Sequence, residues 1–425
     1  MGSVHIHAVT ICGEGAQRGP PPPWLDKPPP PRLASLMVFP HLQHKKGHLL
    51  ALGLMSGTSL DGVDAALVCS DGESYVECGP ALTLEYGSGL RERLRSLLGT
   101  RREDWSAAVT EAARDCTLVH VRAVAALLLK AAMKANRVDV IGFHGQTLSH
   151  CPEQGWSWQI GDGKLLAIQT GIDVIDDFRS SDLTAGGQGA PLAPLYHGAL
   201  AAKMEKPLAV LNLGGVANVT WIGPVSDSAT DSEIGPGENE IMAFDTGPGN
   251  ALMDDWAGRA MGRPYDTFGA LAAKGKVDKE VLSRLLNHPF FDHKPPKSLD
   301  RNAFSLALVE GLSAADGAAT LTAFTARSVA RARDFFPVPP LQWLVAGGGR
   351  HNPVLMAALA RELEDTKIEG VETVGWDGDA LEAQAFAYLA VRSLKDLPLS
   401  LPATTGVSKP VSGGTLYSRG RGTMV

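Results

Sequence analysis

His48-Leu49-Leu50-Ala51-Leu52-Gly53-Leu54-Met55, then Ser56-Gly57-Thr58-Ser59-Leu60-Asp61-Gly62, then Val63-Asp64-Ala65-Ala66-Leu67-Val68 is the stretch that decides the fold. An apolar run bounded by turn residues reads as a buried strand, and here two such runs flank a short polar tip. The tip holds three hydroxyls, two glycines and one carboxylate. Glycine lets backbone approach a ligand, and successive N–H groups beside Ser/Thr hydroxyls form an anion nest. Asp61 has the chemistry to hold Mg²⁺, directly or through water. An ordinary Ser/Thr turn shares this composition. No Gly-Lys-Ser/Thr follows, so the tip is not a Walker loop.

The pattern returns in Leu208-Ala209-Val210-Leu211-Asn212-Leu213-Gly214-Gly215-Val216-Ala217-Asn218-Val219-Thr220-Trp221-Ile222, again strand, Gly-rich tip, strand. Two hairpins, each opening a β-rich then α-rich half, predict a duplicated two-lobed α/β architecture. The first lobe is expected over 48–205 and the second over 206–425, with helix 379–392 packing back on the first.

Between the hairpins, Tyr75–Tyr86 alternates as a third strand, and helices are predicted over Leu90–Leu98 and Asp104–Asn136. Val138–Phe143 reads as a buried strand ending in a loop, His144-Gly145-Gln146-Thr147, the usual place for ligand groups. The strand Ile172–Asp176 leads to a long polar loop, Asp177 to Pro191, and a helix from about Leu192 to Met204. An arginine, an aspartate and several glycines at that turn (Arg179, Asp182, Gly186, Gly187, Gly189) suit an anionic ligand and a proton acceptor. Asp182 as a helix cap or ion-pair partner is the bland alternative.

In the second half, residues 223–240 read as a polar surface loop. The strand Ala243-Phe244-Asp245 ends in Thr246-Gly247-Pro248-Gly249-Asn250 before a helix from Ala251. Helices are predicted over Asp255–Met261, Leu271–Leu286 and Ala318–Phe336. The strand Trp343–Ala346 runs into Gly347-Gly348-Gly349, which would let a flat ring or phosphate lie on the backbone. A helix to about Glu364 follows, then a strong one over Asp379–Arg392. The last thirty or so residues, rich in Pro, Gly, Ser and Thr, are expected to drape over the surface.

A chain of 425 residues, 44% hydrophobic and 20% charged, has room for two cores. The net charge of −7 argues against a nucleic-acid surface, which would be basic. No apolar run reaches membrane-span length. The five cysteines are scattered and lack metal spacing, as expected for reduced thiols in a cytoplasmic protein. Residues 1–47 stand apart. Pro20 to Pro23 and Pro28 to Pro31 favour polyproline II, the order of a signal peptide is missing, and Ile6 stands where myristoylation wants Ser or Thr. This extension is expected to be disordered or to precede the start used in the cell, for which Met37 is the candidate.

Taken together, these motifs resemble the anhydro-N-acetylmuramic acid kinases, a family of the actin/Hsp70/sugar-kinase superfamily. The resemblance covers nearly all of 48–425. It rests on Gly53 to Asp64, His144 to Thr147, Asp177-Phe178-Arg179, Gly186 to Pro191, Asn212 to Thr220, Phe244 to Asn250, Gly347 to Gly349 and Leu381 to Ala387, in that order. It implies a two-lobed actin-like ATPase fold with ribonuclease-H-like halves and a central nucleotide cleft. It implies ATP and Mg²⁺, opening of the 1,6-anhydro bond by water, and phosphorylation of O6 to give N-acetylmuramic acid 6-phosphate in cell-wall recycling. Gly57, Thr58, Ser59, Leu60, Asp61, Gly62, Val63 and Asp64 would bind phosphates, with Asp61 toward Mg²⁺. Asn212, Gly214, Gly215 and Asn218 would form the second phosphate loop, and Gly347, Gly348 and Gly349 would lie beside the adenosine. Asp182 matches the family's base, with Arg179 beside it. His144, Gln146, Thr147 and Asp245 are the candidate sugar contacts. Leu299-Asp300-Arg301-Asn302 departs from the family order of small residue, Gly, Arg, Glu. A homodimer is the family expectation. The rival readings are another sugar kinase of the superfamily, which would leave the anhydro sugar untouched, and a non-enzymatic actin- or Hsp70-like nucleotide switch.

Overall fold

The first hairpin forms as predicted. Strand β1 (Leu49–Ser56) turns back as β2 (Gly62–Ser70), with Leu49 opposite Ser70 and Met55 opposite Asp64. A computed structural model describes residues 47–419 except 58, 225–239 and 302. The proline-rich extension, Thr58, Asn302 and most of the predicted 223–240 loop therefore lie outside the described residues.

β3 (Val76–Glu85), helix α1 (Ser88–Leu97), helix α2 (Ala107–Lys130), β4 (Val140–Cys151), β5 (Trp156–Ile160), α3 (Gly163–Thr170), β6 (Asp173–Asp176), α4 (Ser180–Thr184) and α5 (Pro194–Leu200) complete the first half. β7 (Leu208–Leu213), β8 (Val216–Ile222), β9 (Ile241–Pro248), α6 (Ala251–Met261), α7 (Lys279–Leu286), α8 (Ala314–Arg331), β10 (Gln342–Ala346), α9 (Pro353–Glu362), β11 (Lys367–Gly370), α10 (Leu381–Leu394), α11 (Pro402–Thr405) and β12 (Thr415–Tyr417) follow. The second sheet runs β11-β10-β7-β8-β9, and the first contains the matching path β6-β4-β1-β2-β3. In each, an antiparallel three-strand meander continues through two parallel strands. The same order and senses in both halves make this the duplicated, ribonuclease-H-like α/β architecture of the actin-like ATPases.

β1 is buried on both faces. Leu50, Leu52 and Leu54 pack with Val109, Ala112, Val119 and Leu127 of α2. Ala51 and Met55 pack with Ala383, Ala387 and Ala390 of α10. That helix follows the second-sheet strands in sequence yet lies on the first sheet, where two glycines admit its backbone. A Cβ at Gly53 would sit 1.7 Å from Ala383 O, and one at Gly142 would sit 2.0 Å from Phe386 O. Leu381, Ala385 and Tyr388 of α10 join Ile241, Leu344 and Ala346 on the other side. From Ala383 to Arg392 it is buried all round because both sheets use it.

Several predicted elements are corrected. The His144-Gly145-Gln146-Thr147 loop is strand: β4 runs through it because β5 pairs with its far half, Gln146 opposite Ile160. The long first-half helix spans only α2, started by Ser106 accepting from Val109 N. The predicted helix 271–286 keeps only α7. Gly275 lies against Ala315 O, where a Cβ would come to 2.0 Å, and Asp278 caps the restart by accepting from Glu280 N and Val281 N. The helix expected over 192–204 is the shorter α5. The C-terminal stretch does not simply drape: β12 pairs antiparallel with β6, and α11 is buried at its end. No helix of the described residues is long and apolar enough to cross a membrane.

Candidate active site

The first tip is pinned by its neighbours. Leu60 takes a left-handed φ of 59° and buries its side chain, with Leu60 N donating to Gly57 O at 3.2 Å. Tyr86 N and Arg91 Nη2 both donate to Asp61 O, while Ser59 and Asp61 are exposed at the tip. Gln146 is fully buried. Ser56 Oγ donates to its Oε1 at 2.6 Å, and its Nε2 donates to Gly57 O at 3.3 Å. The amide expected to meet sugar is thus engaged inside the lobe, holding the tip. Thr147 Oγ1 accepts from Gln159 Nε2.

The second tip and the triple-glycine turn come together. Asn250 N donates to Gly214 O and Gly249 N to Gly215 O, which ties the tip to the start of α6. Gly347, at φ 75°, leaves no space for a Cβ against Asn212 Oδ1 and Leu213. Gly349 meets Leu213 and Asn250 in the same way. Arg350 holds the turn: its Nη1 donates to Gly347 O at 3.0 Å, and its guanidinium pairs with Glu372 and Asp379 at 2.7 and 2.8 Å. Asn212, Asn218 and Asp245 stand in register across β7, β8 and β9.

Arg179 and Asp182 share one loop with Gly189. Arg179 Nη1 donates to Gly189 O at 2.6 Å, and Gly189 N donates to Asp182 Oδ1 at 2.6 Å. His144 Nδ1–H donates to Gly145 O at 2.9 Å, so its Nε2 is free to accept from Arg179 Nη2, also at 2.9 Å. Burial, helped by the Arg179 charge, holds His144 well below the usual imidazole range, so it stays neutral and clamps the guanidinium. Asp182 is 2% exposed, and Thr405 Oγ1 donates to its Oδ2.

The family profile described as anhydro-N-acetylmuramic acid kinase matches residues 49–419. The chain belongs to that family. Proteins bearing the same description in Rhodospirillum rubrum and Paramagnetospirillum magneticum are each 54% identical to it. The matches cover 88% of this chain and 96% of the first relative, and 86% and 99% for the second. A ROK family glucokinase from Streptomyces griseus, solved with glucose and AMPPNP, is 13% identical with a TM-score of 0.36, covering 79% of this chain and 97% of that one.

Within this family member the electrostatics converge on Arg179. Burial lowers it from the usual guanidinium range to about 10, opposed by Glu382, Asp182 and Asp245, so it remains a cation at neutral pH. Asp245 is raised to about 7 by burial, although Leu299 N donates to its Oδ2 at 2.7 Å and the Arg179 charge works the other way. Glu382, in the first turn of α10, is exposed. Desolvation, then Asp64, raise its carboxyl. Asp64 is raised to about 6, chiefly by burial. Asp254, at the start of α6, is raised to about 7 by burial and then Asp255, with Asp61 contributing. Asp61 thus lies within electrostatic reach of carboxylates in both halves. No group of three or more His, Cys, Asp or Glu able to hold a metal occurs among the described residues. One exposed carboxylate at the first hairpin tip still fits Mg²⁺, which takes most ligands from water and phosphate. Glu382, Arg350 and Thr405 were not singled out from sequence. The helix-start position of Glu382 was a signal for the first, and the position of Arg350 directly after three glycines for the second.

Asp176, beside this site, offers a test of the electrostatics. Burial, then Asp177, raises its carboxyl from 3.8 to about 7. The folded chain therefore holds a proton that the unfolded chain releases near pH 3.8. This contribution favours folding most below that pH and is lost as pH rises through 7. Asp176→Asn is expected to raise Tm by about 2 °C at pH 8.5 and by less than half as much at pH 5, which lies between the unfolded and folded values. Melting curves at both pH values check it; an equal gain at both would assign the effect to something other than titration.

Proposed function

We propose that this protein is an ATP-dependent anhydro-N-acetylmuramic acid kinase that opens the 1,6-anhydro bond and phosphorylates O6, yielding N-acetylmuramic acid 6-phosphate for cell-wall recycling. The observation that carries this reading is the buried Asp182 carboxylate, held at both oxygens and set on one loop with the clamped Arg179. Family membership supplies the substrate.

In this mechanism Asp182 takes a proton from water as the water oxygen attacks the anomeric carbon. The C1–O6 bond breaks, and the freed O6 receives the γ-phosphoryl group while ADP leaves. Opening the bridged sugar supplies the nucleophile, so no side chain need deprotonate a hydroxyl. Asp182 then returns its proton to solvent. The tips at Gly57 to Asp64 and at Asn212, Gly214, Gly215 and Asn218 cradle the phosphates. Gly347 to Gly349 lie against the adenosine, and Arg179 neutralises charge on the transferring group. Mg²⁺ beside Asp61 would supply further charge neutralisation at the phosphates. His144 acts through Arg179, Gln146 through Gly57, and Thr147 and Asp245 border the sugar. We place the lobe boundary near 205/206, between the two sheets, and the enzyme in the cytoplasm as a homodimer.

Incubation with ATP, Mg²⁺ and the anhydro sugar in H₂¹⁸O is expected to place the label at C1 of a sugar phosphate, read by mass spectrometry. Label in free phosphate, or an unchanged anhydro sugar, would refute the reading in favour of simple ATP hydrolysis or another kinase.

A further inference from the structure

We infer that Thr405 is a positioning residue for the Asp182 carboxylate, so that the C-terminal segment sets the orientation of the base. The inference rests on the proposed role of Asp182.

Thr405 closes α11 and is 0% exposed. Its Oγ1 donates to Asp182 Oδ2, 223 positions away in sequence. A carboxylate has no proton to give, so the hydroxyl must be the donor. The backbone repeats the link: Gln188 N donates to Thr405 O at 2.7 Å. The segment therefore joins the Asp182 loop twice, once through a side chain and once through the main chain. Gly187 permits the approach. A Cβ there would lie 2.3 Å from Asp182 Oδ1 and 2.6 Å from Val407 Cγ1, between the carboxylate and the segment. Ser298 Oγ donates to Gln188 Oε1 at 2.8 Å, and the next residue's N–H donates to Asp245 Oδ2, so the same loop is also held from the second half.

The neighbouring threonine sharpens the assignment. Thr404 Oγ1 spends its bonds within its own turn, accepting from Leu401 N and donating to Leu401 O, each at 3.0 Å. Thr405 instead sends its hydroxyl to another element. A carboxylate offers about four lone-pair sites. Gly189 N takes one on Oδ1 and Thr405 one on Oδ2, which fixes the carboxylate plane and leaves sites on both oxygens for water and sugar. A base free to rotate loses the near-attack geometry, and a misplacement of about 1 Å can cost about 100-fold.

The test compares Thr405→Val, which keeps the shape without the hydroxyl, with Thr405→Ser, which keeps the hydroxyl, and with Asp182→Asn alone and combined with Thr405→Val. Thr405→Val is expected to lower kcat about 30-fold with both KM values within about twofold, and Thr405→Ser to recover most of the loss. In the Asp182→Asn background, Thr405→Val is expected to change the residual rate little, because the group it orients is gone. Wild-type kcat in Thr405→Val overturns the inference. So does an equal loss in valine and serine variants, which would assign packing rather than the hydroxyl. Thr405→Ala carries the same comparison if the valine variant does not fold. Near-normal turnover in Asp182→Asn would instead sink the reading of Asp182 itself, whatever Thr405 does.

Discussion

Asp182→Asn is expected to lower turnover of the anhydro sugar by about 10³-fold, the scale of a lost general base. Binding of ATP, followed by fluorescence or calorimetry, should remain within about threefold, because the two hairpin tips proposed to hold the phosphates and the Gly347 turn are held by bonds that do not involve residue 182. The fold should survive as well. Asparagine has the same size, its carbonyl can still accept from Gly189 N, and the Thr405 hydroxyl can rotate to accept from the amide. Ring opening and phosphoryl transfer should be lost together, because water attack frees the oxygen that accepts the phosphoryl group. A variant that opened the ring without phosphorylating it would separate the two steps and reject the coupled mechanism.

Gly53→Ala is expected to destabilise the protein by at least about 3 kcal/mol, at the severe end for one added methyl. The new carbon would meet Ala383 O at 1.7 Å and Ala387 N at 2.6 Å. Both are backbone atoms of α10, so no side chain can swing away, and the helix must lift off the first sheet. Since α10 also packs with residues of the second sheet, the displacement reaches both halves. Gly311→Ala is the matched control, with nothing within 4 Å of the added carbon. Thermal melting compares the two. Equal melting temperatures would mean that α10 is not pressed onto the sheet as closely as described.

What was legible in the sequence was local. Each hairpin carries its own strand, tip and return strand within about twenty residues, and apolar runs between glycines can be recognised without knowing what they pack against. The repeated pattern at 48 and 208 is the duplicated sheet order of the structure. Reading His144 to Thr147 as a loop failed because polar residues and a glycine suggest a strand end, whereas pairing with β5 keeps the backbone extended. Gln146 illustrates the same limit: its side chain is polar in the sequence and buried in the fold, where Ser56 and Gly57 satisfy it.

The sequence by itself determined the two-lobed α/β class, the two hairpin tips and the membership of the candidate residues in one family's set of motifs. It could do so because those features are written in runs of adjacent residues. Only the tertiary structure decided that α10 is shared between the sheets, that His144 is a neutral clamp on Arg179, and that Thr405 lies against Asp182. Those depend on pairings between distant segments, and a hydroxyl 223 positions away leaves no trace in the local pattern around the carboxylate it meets.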